Sequence, residues 1–215
     1  MKIYEFTGNY IEEKSYVICE NRKVLMIDVI WTEELDAFLA VKNPESILIL
    51  LTHEHFDHIY GVNHYRELYN CKVMCSKSCG KLIQSSRTNL ALYQSVILGD
   101  RLNGTNSHGL EEDYGCFADV TFEETTQIEW EGHVISMHET PGHSKGSICI
   151  QMDDQYLFTG DSLLLKNQVI TKAPGGSSKD YQEVTKPYLK SIPKDVWVYP
   201  GHGESALMKE FIFSD

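Results

Sequence analysis

His53, His55, Asp57 and His58 stand within six consecutive positions of the stretch LTHEHFDHIYG, residues 51–61, directly after the apolar run SILIL. A protein core cannot hold so many imidazoles and carboxylates unless something satisfies them. His53 and His55 are two apart and project the same way in an extended loop. Asp57 and His58 begin the next turn and point to a neighbouring spot. Imidazole nitrogens and carboxylate oxygens are ligands that zinc, iron and manganese accept. Four such groups cannot close a two-metal site, so further ligands are expected elsewhere in the chain. Three candidates sit at other strand ends: His143 in ETPGHSKGS, Asp161 in FTGDSLL and His202 in VYPGHGES. Each is a ligand type placed by glycine on a tight turn beside an apolar strand. Together the seven predict a metal site assembled from four loops.

The elements that must position these loops are legible in outline. KIYEF, SYVICE and KVLMIDVI read as short strands, and SILILLT as a strand covered on both faces. WTEELDAFLAVKN carries a Thr cap, acids in its first turn and apolar residues at helical spacing. IYGVNHYRELYN reads as a helix and CKVMC as the next strand. ADVTF, TQIEW, HVISMHE, SICIQM and QYLFTG follow as strands, with turns at Glu131-Gly132 and Asp153-Asp154. SSKDYQEVTKPYLKSI is predicted helical up to Pro193, DVWVYP is a last strand, and ESALMKEFIF a short final helix. LIQSSRTNLALYQSVILGDRL has helical character, whereas NGTNSHGLEEDYG reads as a loop. Two groups of strands interleaved with helices predict two packed sheets with helices outside, in one domain spanning 1–215.

Composition narrows the partners. Thirty-one acids against 19 Lys and Arg give a formal net charge of −12, a field that repels nucleic acid and acidic membranes. No apolar run reaches the roughly 18 residues a membrane span needs. MKIYEFTGNYIEEKSY lacks the apolar core of a signal peptide, so cytoplasmic residence is expected and the six cysteines are expected reduced. Cys71, Cys75 and Cys79 recur at a spacing of four, but KVM reads as a strand, which breaks the single helical face a thiolate site would use. His64, His133 and His138 read as packing or solvent residues, and Tyr4, Tyr10, Trp31 and Tyr60 as core or rim aromatics.

THEHFDH, TPGHSKGS, FTGDSLL and YPGHG, in that order, resemble the metallo-β-lactamase-fold hydrolases, in particular their glyoxalase II-like branch, over nearly the whole chain. The resemblance implies an α/β chain folded as a four-layer αββα sandwich, with metals at one edge of the two sheets. It implies a first metal on His53, His55 and His143, a second on Asp57, His58 and His202, and Asp161 bridging both. Asp28 in VLMIDVI matches the acid that ends an early strand and supports the site from behind the ligands. The implied cofactors are two divalent ions, zinc foremost, with iron or manganese as alternatives. Two such ions about 3.5–4 Å apart share a water and lower its pKa from about 15.7 toward about 7. The implied enzyme is a hydrolase whose metal-bridging hydroxide attacks a small ester, thioester or lactone. Asp57, His58 and Asp161 form its catalytic set, and Asp57 orients the hydroxide.

The sequence departs from those relatives in three places. Glyoxalase II continues past the equivalent of His202 into a helical domain that holds glutathione. This chain stops 13 residues after His202, so hydroxyacylglutathione is not the expected substrate. The segment around 81–117 is longer than compact relatives need and is expected to form a lid. In it, Arg87 and Arg101 are candidates for an anionic substrate group, Tyr93 and Tyr114 for an apolar wall, and His108 for a further contact. VITKAPGGSSKD lacks an arginine that the glyoxalase-like branch often carries. The rival reading is a persulfide dioxygenase with one iron on His53, His143 and Asp161. A phosphodiesterase or nuclease is disfavoured by the acidic balance and by the lack of a basic groove.

Overall fold

The computed structural model describes residues 1–99 and 113–213. Its first sheet runs in the spatial order β1 (Ile3–Thr7), β2 (Lys14–Glu20), β3 (Lys23–Ile27), β4 (Ser46–Leu50), β5 (Cys71–Ser76), β6 (Val120–Phe122). The β1–β2–β3 meander is antiparallel and the rest parallel. The second sheet is built from β7 (Thr125–Trp130), β8 (His133–Glu139), β9 (Ile148–Met152), β10 (Tyr156–Gly160), β11 (Trp197–Pro200) and β12 (Ala206–Leu207). There β10 and β11 pair in parallel, while the other neighbours are antiparallel.

Strand alternation decides the layers. Tyr16, Ile18, Leu25, Ile27, Ile148, Ile150 and Phe158 point between the sheets into one buried cluster. Their neighbours Val17, Val24 and Met26 point the other way, onto Leu35 and Leu39 of α1 (Glu33–Lys42) and Val62 and Tyr65 of α2 (Val62–Leu68). On the far side Cys149, Leu157 and Val198 pack with Leu189 of the C-terminal helical segment and with Ile192 just past its end. That segment runs from Ser178–Asp180 through a π-helical turn, Tyr181–Thr185, to Lys186–Ser191. The order is helix, sheet, sheet, helix, the predicted αββα sandwich.

Local signals hold where they are strong. The Thr32 hydroxyl accepts from the Leu35 amide at the start of α1, and Asn43 closes that helix in the left-handed region. Asp153 and Asp154 both take positive φ, as does Glu131 with Gly132, so both hairpins turn as the dipeptides predict. Two expectations are corrected. ESALMKEFIF does not form a helix: Val198 pairs with Ala206, and the chain continues as a strand and one 3-10 turn, Met208–Glu210. LIQSSRTNLALYQSVILG is broken rather than helical: α3 (Lys77–Leu82) ends beside Ile83, Leu90 has φ 70°, and α4 covers only Gln94–Leu98. Cys71 and Cys75 lie on β5 and Cys79 on α3, and the described cysteines are free thiols. Among the described residues, no helix is long and apolar enough to cross a membrane.

Candidate metal centre

The carboxyl ends of β3, β4, β10 and β11 meet at one edge of the sandwich, and each delivers part of the site. Asp28 ends β3 with φ 55°, a left-handed conformation that an aspartate tolerates better than most residues. His53 and His55 follow β4, and Asp57 and His58 lie in a 3-10 turn, Phe56–His58. His143 sits on the turn before β9, Asp161 after β10, and His202 after β11.

The ligand atoms fall into two sets. One ligand atom from each of His53, His55 and His143 lies within 4.8 Å of the others, and the same holds for Asp57, His58 and His202. His55 Nδ1 is 3.0 Å from His143 Nε2, and His58 Nε2 is 3.2 Å from His202 Nε2. Asp57 Oδ2 is 3.2 Å from His202 Nε2 and 3.4 Å from His58 Nε2. Asp161 lies between the sets. Its Oδ2 is 3.5 Å from His143 Nε2, and its Oδ1 is 3.5 Å from both His58 Nε2 and His202 Nε2.

The outward nitrogens fix which lone pairs point inward. His58 Nδ1 donates to Asp28 Oδ2 at 2.9 Å, His143 Nδ1 to the Ile170 carbonyl at 2.9 Å, and His202 Nδ1 to the Ile11 carbonyl at 3.0 Å. His53 Nδ1 meets the Thr52 hydroxyl at 3.0 Å, and that hydroxyl donates to Asp28 Oδ2 at 2.7 Å. With Nδ1 protonated, each Nε2 presents a lone pair to the interior. His53 Nε2 and Asp161 Oδ1 are buried without a hydrogen-bond partner, and His55 turns its Nδ1 toward His143 Nε2. Buried acceptors facing one another without donors are costly, and a divalent cation is the group that satisfies them all at once. The donor set fits a pair of divalent ions.

The two sets differ in charge. Burial lowers His53 well below the ordinary imidazole range and pushes His55 down to about 3, helped by His143 beside it. Burial would also lower His58 and His202, but Asp57 and Asp28 hold His58 well above its usual value, and Asp161 and Asp57 push His202 up to about 9. Burial would raise Asp57 and Asp161; the neighbouring histidines instead hold both carboxyls low. At pH 7 the metal-free second set therefore carries protons that an incoming ion must expel, whereas His53 and His55 are already neutral. Ion binding at the second set should tighten as pH rises from about 6 toward about 9, and binding at the first set should change far less. Cobalt titrations at the two ends of that range check this; equal pH dependence at both sets would refute it.

Asp28 offers a second test. Its Oδ1 accepts the Thr52 amide at 2.7 Å, and its Oδ2 accepts the Thr52 hydroxyl and His58 Nδ1. In Asp28→Asn the new NH2 cannot face the Thr52 amide, so it must face His58 Nδ1. That favours the opposite His58 tautomer and removes the inward lone pair. The expected result is about 10–100-fold weaker binding of the second ion with the first unchanged, read by metal titration. Unaltered binding would show that the tautomer is not set there.

Of the remaining sequence candidates, Arg87 and Tyr93 are exposed. Tyr114 is 6% exposed in the core, with its hydroxyl donating to the Ile59 carbonyl at 2.7 Å; it braces the ligand loop and forms no open wall. Arg101 and His108 lie outside the described residues. His64, His133 and His138 are away from the centre, on Asp36, Asp153 and Thr125. The carbonyls of Ile11 and Ile170 escaped sequence reasoning, since a backbone acceptor leaves no side-chain signal.

Residues 13–202 match the family model of the metallo-beta-lactamase superfamily. Among curated proteins, the chain is 26% identical over 212 residues to a probable metallo-hydrolase of Streptococcus pyogenes, covering 95% of this chain and 85% of that one. It is 26% identical over 190 residues to a probable polyketide biosynthesis zinc-dependent hydrolase of Bacillus velezensis, covering 87% and 71%. Among solved structures it resembles BLEG-1 B3 metallo-beta-lactamase with TM-score 0.81 at 22% identity, covering 97% of this chain and 95% of that one. It also resembles TTHA1623 in a di-iron-bound form with TM-score 0.68 at 26% identity, covering 96% and 95%.

Proposed function

The chain belongs to the metallo-beta-lactamase superfamily as a metallo-hydrolase, and from that premise we propose a binuclear enzyme that cleaves a small ester, thioester or lactone. The observation that carries this reading is the place of Asp161, with one carboxylate oxygen toward His143 and the other toward His58 and His202. A single iron on His53, His143 and Asp161 would need only the oxygen toward His143, whereas a second ion gives the other oxygen a partner. His53, His55 and His143 would hold one ion and Asp57, His58 and His202 the other. Bound there, two divalent ions supply a water acidified from about 15.7 toward about 7 and Lewis acidity for the oxyanion that develops.

The chain's own groups do the rest. Asp57, ionised despite burial, accepts the hydrogen bond of the attacking water and aims it. Asp28 and the Ile11 carbonyl hold His58 and His202 in the tautomer that leaves Nε2 free. Zinc is the ion proposed: the Bacillus relative is named for it, although the di-iron-bound TTHA1623 shows that the fold also takes iron. The net charge of −12 supports a small substrate over a nucleic acid. Arg87 and Tyr93 are proposed to meet the substrate's anionic and apolar parts. Their segment reaches the ligand loop where the Asn89 carbonyl accepts from the Phe56 amide at 2.8 Å.

Elemental mass spectrometry on protein purified without added metal tests the reading, followed by a screen of thioesters, lactones and esters. About two divalent ions per chain and hydrolysis in that screen are expected. About one iron per chain, with oxygen consumed in the presence of glutathione persulfide, would replace the hydrolase by a dioxygenase. No metal after reconstitution would sink both.

A further inference from the structure

Two glutamates that are not ligands are buried beside the centre. Glu13 is 0% exposed and Glu54 is 2% exposed. Among the described residues, neither forms an ion pair with a lysine or arginine. A buried carboxylate without a cation is expensive, so what it holds together calls for explanation.

Glu54 stands between His53 and His55 in sequence. Its Oε2 accepts from the Ser144 hydroxyl at 2.8 Å and from the Gly146 amide at 3.2 Å. Ser144 follows His143, so this carboxylate ties the loop carrying His53 and His55 to the turn carrying His143. A Cβ at Gly146 would fall on that same oxygen, which shows how closely the turn is drawn in. His55 Nδ1 and His143 Nε2 face each other at 3.0 Å across the joint.

Glu13 does the same work on the other side. Its Oε2 accepts the Ile11 amide at 2.8 Å, and its Oε1 accepts the Tyr60 hydroxyl at 3.0 Å. The Ile11 carbonyl receives His202 Nδ1, and Glu13 itself forms a backbone bridge to His202. Tyr60 lies two residues beyond His58. The carboxylate therefore links the segment leaving His58 to the loop that orients His202.

We propose that Glu13 and Glu54 are positioning residues, each setting the geometry of one half of the centre: Glu54 the His53–His55–His143 half, Glu13 the Asp57–His58–His202 half. This inference rests on the two-ion reading given above. It makes the two occupancies separable through residues that never touch metal.

Zinc calorimetry on chelator-treated protein tests it. Wild-type protein first reports the number of ions; a single ion would overturn the two-ion reading and this inference together. His202→Ala then isolates the first half and His143→Ala the second. In the His202→Ala background, Glu54→Ala should weaken the remaining zinc by about tenfold or more and Glu13→Ala by less than about twofold. In the His143→Ala background the ranking should reverse. Glu54→Gln and Glu13→Gln should restore binding to within about threefold of the parent. One amide oxygen can accept both donors to Glu54, and the Tyr60 hydroxyl can accept from a glutamine NH2. Ser144→Ala and Tyr60→Phe each remove one hydrogen bond without emptying a buried carboxylate site. They should repeat the same selectivity in weaker form if either alanine variant fails to fold. With two ions bound by wild type, glutamate variants that weaken both halves alike, or neither, would overturn the inference while leaving the two-ion reading intact.

Discussion

Asp161→Ala protein is expected to lose metal from both halves of the centre and to hydrolyse its substrate about a thousandfold more slowly or worse, a barrier increase of roughly 4 kcal/mol. The carboxylate lies between the two triads, 3.5 Å from His143 Nε2 on one oxygen and 3.5 Å from His58 and His202 Nε2 on the other. Without it, the first half keeps three imidazoles and no negative charge, so a divalent ion there is less well neutralised. The second half keeps Asp57 but loses the carboxylate oxygen 3.5 Å from His58 and His202 Nε2, and with it a negative charge beside the ion. His202→Ala removes a ligand from the second half only and should leave the first occupied. Elemental analysis of the two variants side by side separates these outcomes, and equal loss from both would refute a shared acid. His133→Ala is the control: its Nδ1 pairs with Asp153 Oδ2 at 2.6 Å on a hairpin of the second sheet, and metal content should not change.

How much of this centre the sequence could reveal depended on how local each signal was. THEHFDH announces itself because four ligands fall on one loop, and the glycine turns before His143, Asp161 and His202 are written beside them. The layers were legible for the same reason, since Tyr16/Val17/Ile18 and Val24/Leu25/Met26 alternate at a period of two between faces that are both buried. What stayed hidden depends on contacts between distant residues. Nothing in the sequence marks Glu13 and Glu54 as buried, because the groups that satisfy them, Tyr60, Ile11, Ser144 and Gly146, are assembled only by the fold. Tyr114 sits in a polar stretch, yet its hydroxyl reaches the Ile59 carbonyl 55 residues away and draws the ring into the core. ESALMKEFIF has helical spacing, but pairing Ala206 with Val198 satisfies the edge of the second sheet, and tertiary pairing overrides local preference.

Gly201→Ala should disable the centre by steric intrusion alone, without removing any ligand. The added methyl would land on Asp161 Oδ1 and 2.7 Å from His58 Cε1, so it contacts the shared acid and a second-half ligand together. The backbone has little room to withdraw, because the Gly201 amide donates to the Gly160 carbonyl at 2.8 Å and its carbonyl accepts the Lys14 amide at 2.9 Å. Relief must come from rotating Asp161 or displacing His58, and either motion spoils ion binding. The expected readout is loss of the second ion and of at least about 99% of hydrolytic activity, about 3 kcal/mol in barrier. Gly203, two residues on, supplies the comparison. It adopts φ 80° but has nothing within 4 Å of an added Cβ, so Gly203→Ala carries backbone strain without intrusion. That variant should cost about 1 kcal/mol of stability in a denaturation curve and keep its metal. If both variants retain metal equally, the close approach at Gly201 is not what the glycine provides. If both lose it equally, loop strain rather than the methyl governs the site.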